Sequence, residues 1–408
     1  MKLLILTQYF PPEVGAPQNR LYELAVRLKD KGADVEVLTA MPNYPQMEVY
    51  PSYKGKHYTE ESLNGIKIKR TWIYVSQKAS VVRRLLNYFS FVFSSLFYGL
   101  IKLEKKDLLL VESPPLFLGI SAYILAKAKK AKMIFNVSDL WPESAEKLNI
   151  INNRFLLNAA TKMEEFFYRK ASLISGQTQG ICKNIQQRFP NKTVYWLKNG
   201  VDMNFYDVNK EVSSDFRVKN GFKPTDFILI YGGIIGHAQG LDVILNAARL
   251  LKDKEDIKFV LLGNGPDKER LLSMKERQQL DNVFFFDAVA KNKMQEIIMQ
   301  TDAAVIPLKR LDLFKGAIPS KIFENLALKK PVILGLEGEA KELFIDDGKC
   351  GVAFVPEDYY DLKEKILYIY NHPDEAKQMG ENGRRYAEVN FNRDIIAKEF
   401  YEVLTQKI

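Results

Sequence analysis

Short apolar segments alternate with longer amphipathic segments along the whole chain. Their nearly continuous hydrophobicity is typical of parallel strands that are covered by helices on both faces. The pattern therefore predicts an α/β fold. The predicted strands are Leu3–Thr7, Val35–Thr39, Leu108–Glu112, Lys132–Val137 and Leu173–Gln177 in the first half, and Phe227–Tyr231, Lys258–Leu262, Val283–Phe286, Ala303–Pro307 and Pro331–Leu334 in the second.

A polar stretch over residues 198–225, rich in Asn, Asp and Gly, interrupts this alternation. Because 408 residues exceed the size of one ordinary domain, we expect two. The interpretation is two doubly wound, Rossmann-like domains that face each other across a cleft. The first covers 1–200 and the second 201–384, and the helices of 385–408 are expected to cross back onto the first.

Ligands of doubly wound sheets collect at the carboxyl ends of the strands, where this chain carries four notable turns. They read QYFPPEVGAP, YGGIIGHAQG, LLGNGP and DAVAKN. Ordinary turn chemistry is the alternative reading for each. The candidate binding residues in these turns are Gly15, Gly233, Gly236, Gln239, Gly263, Asn264, Gly265 and Val289.

Residues 319–335 predict a helix that begins after Pro319 and a buried strand directly behind it. The free N–H groups and the positive dipole end of a helix N-terminus suit a diphosphate. Proline has no N–H, so Ser320 and Lys321 are the usable donors. The Lys321 ammonium would add a positive charge, and Glu324 could accept hydrogen bonds from a ribose diol. The alternative is an ordinary helix with two solvated charges.

Residues 81–106 form an apolar segment with basic ends, and no charged residue lies between Arg84 and Lys102. Its polar residues Asn87, Ser90, Ser94 and Ser95 lie on one face of a predicted helix. This pattern favours a helix that lies in the interface of an anionic membrane. A buried core helix and a transmembrane helix are the alternatives, although the segment is slightly short for the latter.

The composition of the chain restricts the ligands and partners that it is expected to bind. Lysine and arginine exceed aspartate and glutamate by 59 to 50, which suits an anionic ligand or membrane. The excess is dispersed, so no nucleic-acid partner is expected. Two distant cysteines indicate neither disulfides nor a zinc site, and no Asp-x-Asp cluster indicates a bound metal. The first residues lack the pattern of a cleavable signal, so we expect a cytoplasmic protein, peripheral on the inner face of the plasma membrane.

Taken together, these segments resemble the GT-B glycosyltransferases of family 4. The similarity is greatest to bacterial O-antigen, capsule and colanic-acid transferases of the fucosaminyltransferase-like branch. It covers essentially the whole chain. The family implies retaining transfer of a sugar from a nucleotide sugar, usually UDP-linked, without a metal or other cofactor. The carrying motifs are QYFPPEVGAP, NVSDLWPES, KNGVD, YGGIIGHAQGLD, LLGNGP and IPSKIFENLALKKPVI.

The resemblance implies roles for the residues that bind the donor, and the chain departs from the family pattern at two places. Glu324 matches the glutamate that binds the donor ribose, whereas Gly316 stands where relatives carry a second glutamate. The loop at 233–240 lacks the usual arginine and lysine. We therefore expect Lys321, the glycine-loop amides and Lys309 to stabilise the leaving diphosphate. Val289 matches a position whose backbone pairs with the nucleotide base.

On the acceptor side, Asp139 lies just past a strand, in a string similar to the Asp-x-Trp-Pro motif of the branch. A carboxylate there could accept the proton of the acceptor hydroxyl, and Glu143 is a second candidate. A capping role for Asp139 is the alternative. Glu13 is expected either to contact the acceptor or to be a solvated loop charge.

The predicted activity is transfer of a sugar from a UDP-sugar to a polyprenyl-diphosphate-linked saccharide, and an N-acetylated amino sugar is the expected donor sugar. A sugar-nucleotide epimerase of the GT-B type and a non-catalytic UDP-sugar-binding subunit are the alternatives. A dehydrogenase is disfavoured because no G-x-G-x-x-G follows the first strand.

Overall fold

The computed structural model describes residues 1–13, 15–78, 80–147, 153–209 and 215–406, and the chain divides into two compact units. The first unit comprises Met1–Asn199 and Arg393–Ile408, and the second comprises Gly200–Asn392. The chain therefore returns to the first unit at Arg393, later than the predicted 385. The reason is that residues beyond 385 still pack within the second unit, where the ring of Phe391 lies 5.1 Å from that of Phe323 and 5.4 Å from that of Phe344.

The first unit is built on an eight-stranded sheet in the order β3-β4-β2-β1-β5-β6-β7-β8. All neighbouring strands are parallel except β3 and β4. The strands are β1 (Lys2–Leu6), β2 (Asp34–Ala40), β3 (Tyr58–Leu63), β4 (Ile66–Thr71), β5 (Leu108–Ser113), β6 (Lys132–Val137), β7 (Leu173–Gly176) and β8 (Val194–Trp196). The helices are α1 (Ala16–Asp30), α2 (Val81–Lys102), α3 (Leu118–Lys129), α4 (Glu143–Lys147), α5 (Arg154–Lys170) and α6 (Gln179–Arg188), with a 3-10 turn at Pro51–Tyr53.

The second unit is built on a six-stranded parallel sheet in the order β11-β10-β9-β12-β13-β14. The strands are β9 (Phe227–Gly232), β10 (Ile257–Leu262), β11 (Val283–Phe286), β12 (Ala303–Pro307), β13 (Val332–Gly335) and β14 (Gly351–Ala353). The helices are α7 (Phe216–Lys219), α8 (Asp242–Leu250), α9 (Lys268–Gln278), α10 (Lys291–Met299), α11 (Ser320–Ala327), α12 (Glu339–Lys341), α13 (Tyr359–Asn371) and α14 (Pro373–Asn390), with 3-10 segments at His237–Gln239 and Asp312–Gly316 and a π-helical segment at Glu342–Asp347.

The last helix, α15 (Arg393–Gln406), packs on the first unit beside α1. Its buried Ala397 and Phe400 join Leu3 and Ile5 in one apolar cluster, while Leu4 and Leu6 of the same strand face a second cluster. Alternate residues of β1 thus enter cores on opposite faces of the sheet. Helices cover both faces, and the predicted α/β architecture is confirmed.

Helix α2 places its polar stripe inward. Its hydroxyl and amide groups bond to the rest of the first unit, and Phe91 is buried in the core, while Phe93 and Phe97 are exposed. By length and composition alone, Val82–Lys102 could cross a membrane. In the structure, 33% of its apolar stretch is buried. The inward bonds are Gln8 Nε2 to Asn87 Oδ1 (2.8 Å), the Tyr74 amide to Ser90 Oγ (2.8 Å), Ser94 Oγ with Thr71 Oγ1 (3.0 Å) and Ser95 Oγ with Ser121 Oγ (3.0 Å).

Candidate functional site

The strand order of the second unit creates a switch point between β9 and β12. From β9 the chain proceeds outward to β10 and β11, and from β12 it proceeds the other way to β13 and β14. The connections therefore diverge and leave a crevice beyond the carboxyl ends of β9 and β12, where ligands of such sheets bind. The segments that end there are the loop after Gly232, the loop after Leu262, the loop after Pro307 and the N-terminus of α11.

Two of these loops are in direct backbone contact. Gly263 has φ +155°, and a Cβ on it would lie 1.8 Å from the carbonyl oxygen of Gly233. A Cβ on Gly265 would lie 2.2 Å from the carbonyl oxygen of Ile235, whose own amide donates to Asn264 O (3.0 Å). Side chains would separate these loops. The glycines are therefore needed for the close approach of the two loops at the crevice.

Lys309 joins the first of these loops from the end of β12. Its amide donates to Ala238 O (3.0 Å), and its Cγ lies 3.2 Å from the position of a Cβ on Gly240. Gln239 folds back toward the loop, since its Oε1 lies 2.8 Å from the position of a Cβ on Gly236. Lys309 therefore lies against the end of the loop that carries Gly236 and Gln239.

Helix α11 begins at Ser320, directly behind Pro319, and no side chain caps its N-terminus. Half-buried Lys321 points to the end of β9, where its Nζ donates to Tyr231 Oη (2.8 Å) and lies 4.1 Å from the ring centroid. The Tyr231 hydroxyl in turn donates to Ile234 O (2.6 Å). Glu324 lies one turn further along the helix and is also half-buried.

Desolvation at this position lowers the pKa of Lys321 to about 8, against a smaller opposing effect of the Glu324 carboxylate. The ammonium is therefore held where water solvates it poorly. An anion that entered the crevice would compensate for this lost solvation and favour the protonated amine.

Tyr231 was missed by the sequence reasoning. It is 1% exposed, and burial raises the pKa of its hydroxyl. Because it stands in an apolar run, its pattern is that of a core residue. Only the convergence of Lys321 and the Ile234 carbonyl on its hydroxyl sets it apart.

Asn264 and Val289 lie at the ends of β10 and β11 and are both exposed. The Asn264 Oδ1 accepts a hydrogen bond from Lys268 Nζ (2.9 Å), which also contacts Asp287 Oδ1 (2.7 Å). Lys268 is a second residue that the sequence reasoning missed, and it fixes the loop after β10 to the loop after β11.

His237 lies at the surface of the loop after β9, 65% exposed, with its Nδ1 3.0 Å from Asp267 Oδ1. Asp267 is buried, and hydrogen bonds from Arg270 lower the pKa of its carboxyl. This pairing ties the loop to the start of α9.

In the first unit, Asp139 follows β6 and is exposed. Its Oδ1 accepts a hydrogen bond from the buried Ser144 hydroxyl (2.6 Å), and half-buried Glu143 begins α4. The carboxylate is thus oriented from one side and open on the other, as a proton acceptor requires.

A buried polar network lies beside this carboxylate. Arg20 Nη2 donates to Glu112 Oε1 (2.5 Å) and to Ser138 Oγ (2.8 Å), directly before Asp139. Since Arg20 lies on α1, the network connects α1 with the ends of β5 and β6. Gly15 precedes α1 with extended backbone, φ 178°, and packs against Gln18.

Glu13 was predicted either to contact the acceptor or to be a solvated loop charge, and its position in the structure contradicts both predictions. It is 1% exposed, and its carboxylate accepts hydrogen bonds from the amides of Phe10, Asn43 and Tyr44 at 2.8–3.1 Å. Burial raises its pKa despite these bonds. Its role is to hold the loop after β1, and solvent does not reach it.

Among the described residues, no group of His, Cys, Asp and Glu is arranged to hold a metal ion.

Comparisons with known proteins agree with this architecture. The model of the family "Glycosyl transferase 4-like domain" matches residues 15–195, and that of "Glycosyl transferases group 1" matches residues 212–386. A putative colanic acid biosynthesis glycosyl transferase, WcaI of Escherichia coli K12, is 25% identical over 98% of both chains.

Solved structures of similar fold cover nearly the whole chain. Anabaena HepE in complex with UDP-glucose superimposes with a TM-score of 0.73 at 16% identity, over 99% of both chains. Sucrose-phosphate synthase from Thermosynechococcus elongatus gives 0.76 at 15% identity, over 100% of this chain and 99% of that one.

Proposed function

The chain belongs to the GT-B glycosyltransferases of family 4, and on this premise we propose that it transfers a sugar from a UDP-sugar to a lipid-linked saccharide, with retention of configuration. The observation that carries the proposal is the convergence of Lys321, the glycine loops and Glu324 on one crevice. The named relatives support a role in bacterial surface polysaccharide synthesis, and the UDP-glucose complex of HepE supports a UDP-linked donor.

The donor diphosphate would lie over the amides of Ser320 and Lys321, with the Lys321 ammonium and Lys309 nearby. The amides of Gly236 and Gly265 would complete its surroundings, whereas those of Gly233 and Gly263 already donate to Leu262 O and Phe286 O (2.9 Å each). Glu324 would accept hydrogen bonds from the ribose diol, and the base would lie toward Asn264 and the backbone of Val289. No metal or other cofactor takes part in this proposal.

Transfer then needs one bond to break and one to form. The bond between the anomeric carbon and the diphosphate oxygen breaks, and its electron pair stays on the diphosphate. Lys321 and the loop amides stabilise that growing charge. The acceptor hydroxyl attacks the same face of the sugar and gives its proton to Asp139, with Glu143 as the second candidate.

Helix α2 supports a membrane-bound acceptor. Its polar stripe bonds inward, while Phe93 and Phe97 are 67% and 59% exposed. Exposed aromatic residues between basic ends are typical of a helix that lies on a bilayer. We therefore place the protein peripherally on the cytoplasmic face of the plasma membrane, with a polyprenyl-diphosphate-linked saccharide as acceptor.

The activity is tested by incubation with UDP-sugars and a polyprenyl-diphosphate sugar. Glycan extension with the anomeric configuration retained is the expected result. Formation of an epimer of the UDP-sugar would establish the epimerase instead, and UDP binding without turnover would establish a non-catalytic subunit. Thermal-shift measurements with UDP-, GDP- and dTDP-sugars identify the nucleotide.

Glu324→Ala should weaken UDP binding about tenfold to a hundredfold, since hydrogen bonds to a charged group contribute about 1.5–3 kcal/mol. Calorimetric titration measures the change. A 2′,3′-dideoxy analogue of UDP provides the control, because it lacks the diol and should bind both proteins equally. Equal loss of affinity for both nucleotides would contradict a ribose contact.

Tyr231→Phe should make UDP binding more sensitive to alkaline pH. The variant keeps the ring but removes the hydroxyl that accepts from Lys321, so the pKa of the amine falls further below its ordinary value. UDP affinity should then decline at a lower pH than in the unmodified protein, with a loss of about threefold to tenfold. Tyr370→Phe, which removes a hydroxyl bonded to Asp256, is the control. Identical pH profiles would exclude this positioning role.

A further inference from the structure

The helices on one face of the first sheet form a continuous outer layer. Buried residues of α2, α3 and α5 belong to one apolar cluster, which also contains Leu4, Leu109 and Phe135 of the sheet. Helices α1 and α15 contribute instead to the cluster on the opposite face. Because α2 packs on α3 and α3 on α5, their outward sides are neighbours. We name this outward side of α2, α3 and α5 the layer surface.

The apolar part of the layer surface extends well beyond α2. On α5, Phe155 is 78% exposed, Leu156 is 53% exposed and Phe166 is 38% exposed. Ile124 of the intervening α3 is also 38% exposed, and the rings of Tyr123 and Phe166 connect the two helices at 5.0 Å. All three helices of the layer therefore carry exposed apolar side chains, the kind of surface that marks an interaction site where such residues adjoin.

The exposed charged side chains of these three helices are all basic. Among the described side chains of these three helices, none of the exposed ones is acidic. The two glutamates of α5 are engaged: buried Glu164 accepts from Arg188 Nη2 (2.6 Å), and half-buried Glu165 accepts from Arg169 Nη2 (2.6 Å). The exposed basic residues are Arg84, Lys102, Lys127, Arg154, Lys162, Arg169 and Lys170.

We propose that α3 and α5 extend the bilayer contact of α2, so that the whole layer surface lies on an anionic membrane. The inference rests on the membrane location given under the proposed function and adds a second helix, α5, as an anchor. Apolar side chains would enter the acyl boundary, while lysines and arginines would meet anionic head groups. A twofold contact with a second copy would oppose cations to cations, whereas an anionic lipid surface complements them.

A membrane contact through two helices restricts the orientation of the first unit more than a contact through α2 alone. A single interfacial helix leaves the protein free to rotate about the helix axis. A second anchor on α5 removes this freedom, so the first unit would hold one orientation relative to the lipid-linked acceptor.

Co-sedimentation with vesicles tests the inference. The full chain and the double variant Phe155→Ser/Leu156→Ser are compared on phosphatidylcholine vesicles with and without phosphatidylglycerol. The partition coefficient on the anionic vesicles should fall about tenfold or more in the double variant, because two inserted side chains are lost. Val218→Ser, which removes an 81% exposed side chain of the second unit, should leave it unchanged. Unaltered UDP affinity verifies that the variant is folded.

Each other outcome overturns the inference in a distinguishable way. If Phe93→Ser on α2 abolishes partitioning and the α5 double variant does not, α2 alone is the anchor. If the double variant instead turns a dimer into a monomer by light scattering with partitioning unchanged, the layer surface binds a second copy. If the unmodified chain does not partition at all, the membrane location also fails, while UDP binding and transfer to a soluble acceptor analogue still test the glycosyltransferase.

Discussion

Lys321→Ala should lower kcat about a hundredfold to a thousandfold, the effect of removing one preorganised group that stabilises transition-state charge. The side chain is held at the crevice by its hydrogen bond to Tyr231 and its position over the ring. The usual basic pair is absent from the loop at 233–240, which leaves only Lys309 and the loop amides to share this work. Steady-state kinetics with a UDP-sugar and a lipid-linked acceptor measure the loss.

The pH dependence of UDP affinity, compared between the unmodified protein and Lys321→Arg, separates the effect of the positive charge from that of the lysine side chain. Burial lowers the pKa of Lys321 to about 8, so the free protein carries the ammonium below that pH and loses it above. UDP affinity should therefore decline as the pH rises through about 8. An arginine stays charged, so Lys321→Arg should lack this decline. Lys341→Ala, at a surface ion pair with Asp346, is the neutral control. Normal turnover of Lys321→Ala would show that another group stabilises the diphosphate.

Asp139→Asn should reduce kcat about a hundredfold to ten-thousandfold while the protein stays folded, since a positioned general base contributes about that factor. The Asp139 carboxylate is exposed and receives one hydrogen bond, from Ser144. Its loss should change the free energy of unfolding by only about 1 kcal/mol, the value of a lost cap. Turnover and denaturant unfolding are to be measured on the same preparation.

Ser144→Ala provides the matched control, because it removes the same hydrogen bond and keeps the carboxylate. Its turnover should fall far less than that of Asp139→Asn. Glu143→Gln tests the second candidate in the same assay. Should Asp139→Asn lose stability in parallel with Ser144→Ala and retain turnover, the carboxylate is structural.

The strands that the sequence failed to predict, β3, β4, β8 and β14, have little continuous hydrophobicity. In β4, IKIKRT, isoleucine alternates with lysine. β3 is a partly exposed edge strand, and its polar run YTEESL has no apolar face to recognise. β8 and β14 have only three residues each, too few for a period to emerge. The buried parallel strands could be predicted because short, continuous apolar runs are typical of strands that helices cover on both faces.

The parts of the candidate site that could be predicted are those that lie in local sequence motifs. The glycine loops and α11 lie in sequence motifs at strand ends, so their convergence followed from the topology. Glu13 was misjudged because its three amide donors come from Phe10 and from a distant loop at Asn43 and Tyr44. Tyr231 and Lys321 are 90 residues apart in sequence, and only the folded chain brings them together.

A crystal of the protein soaked with UDP would show whether the crevice of the second unit holds the diphosphate. We expect the two phosphates within hydrogen-bond distance of the Ser320 and Lys321 amides, with Lys321 Nζ turned from Tyr231 to the diphosphate and the ribose diol against Glu324. A crevice that remains empty, or a nucleotide bound elsewhere, would contradict the account.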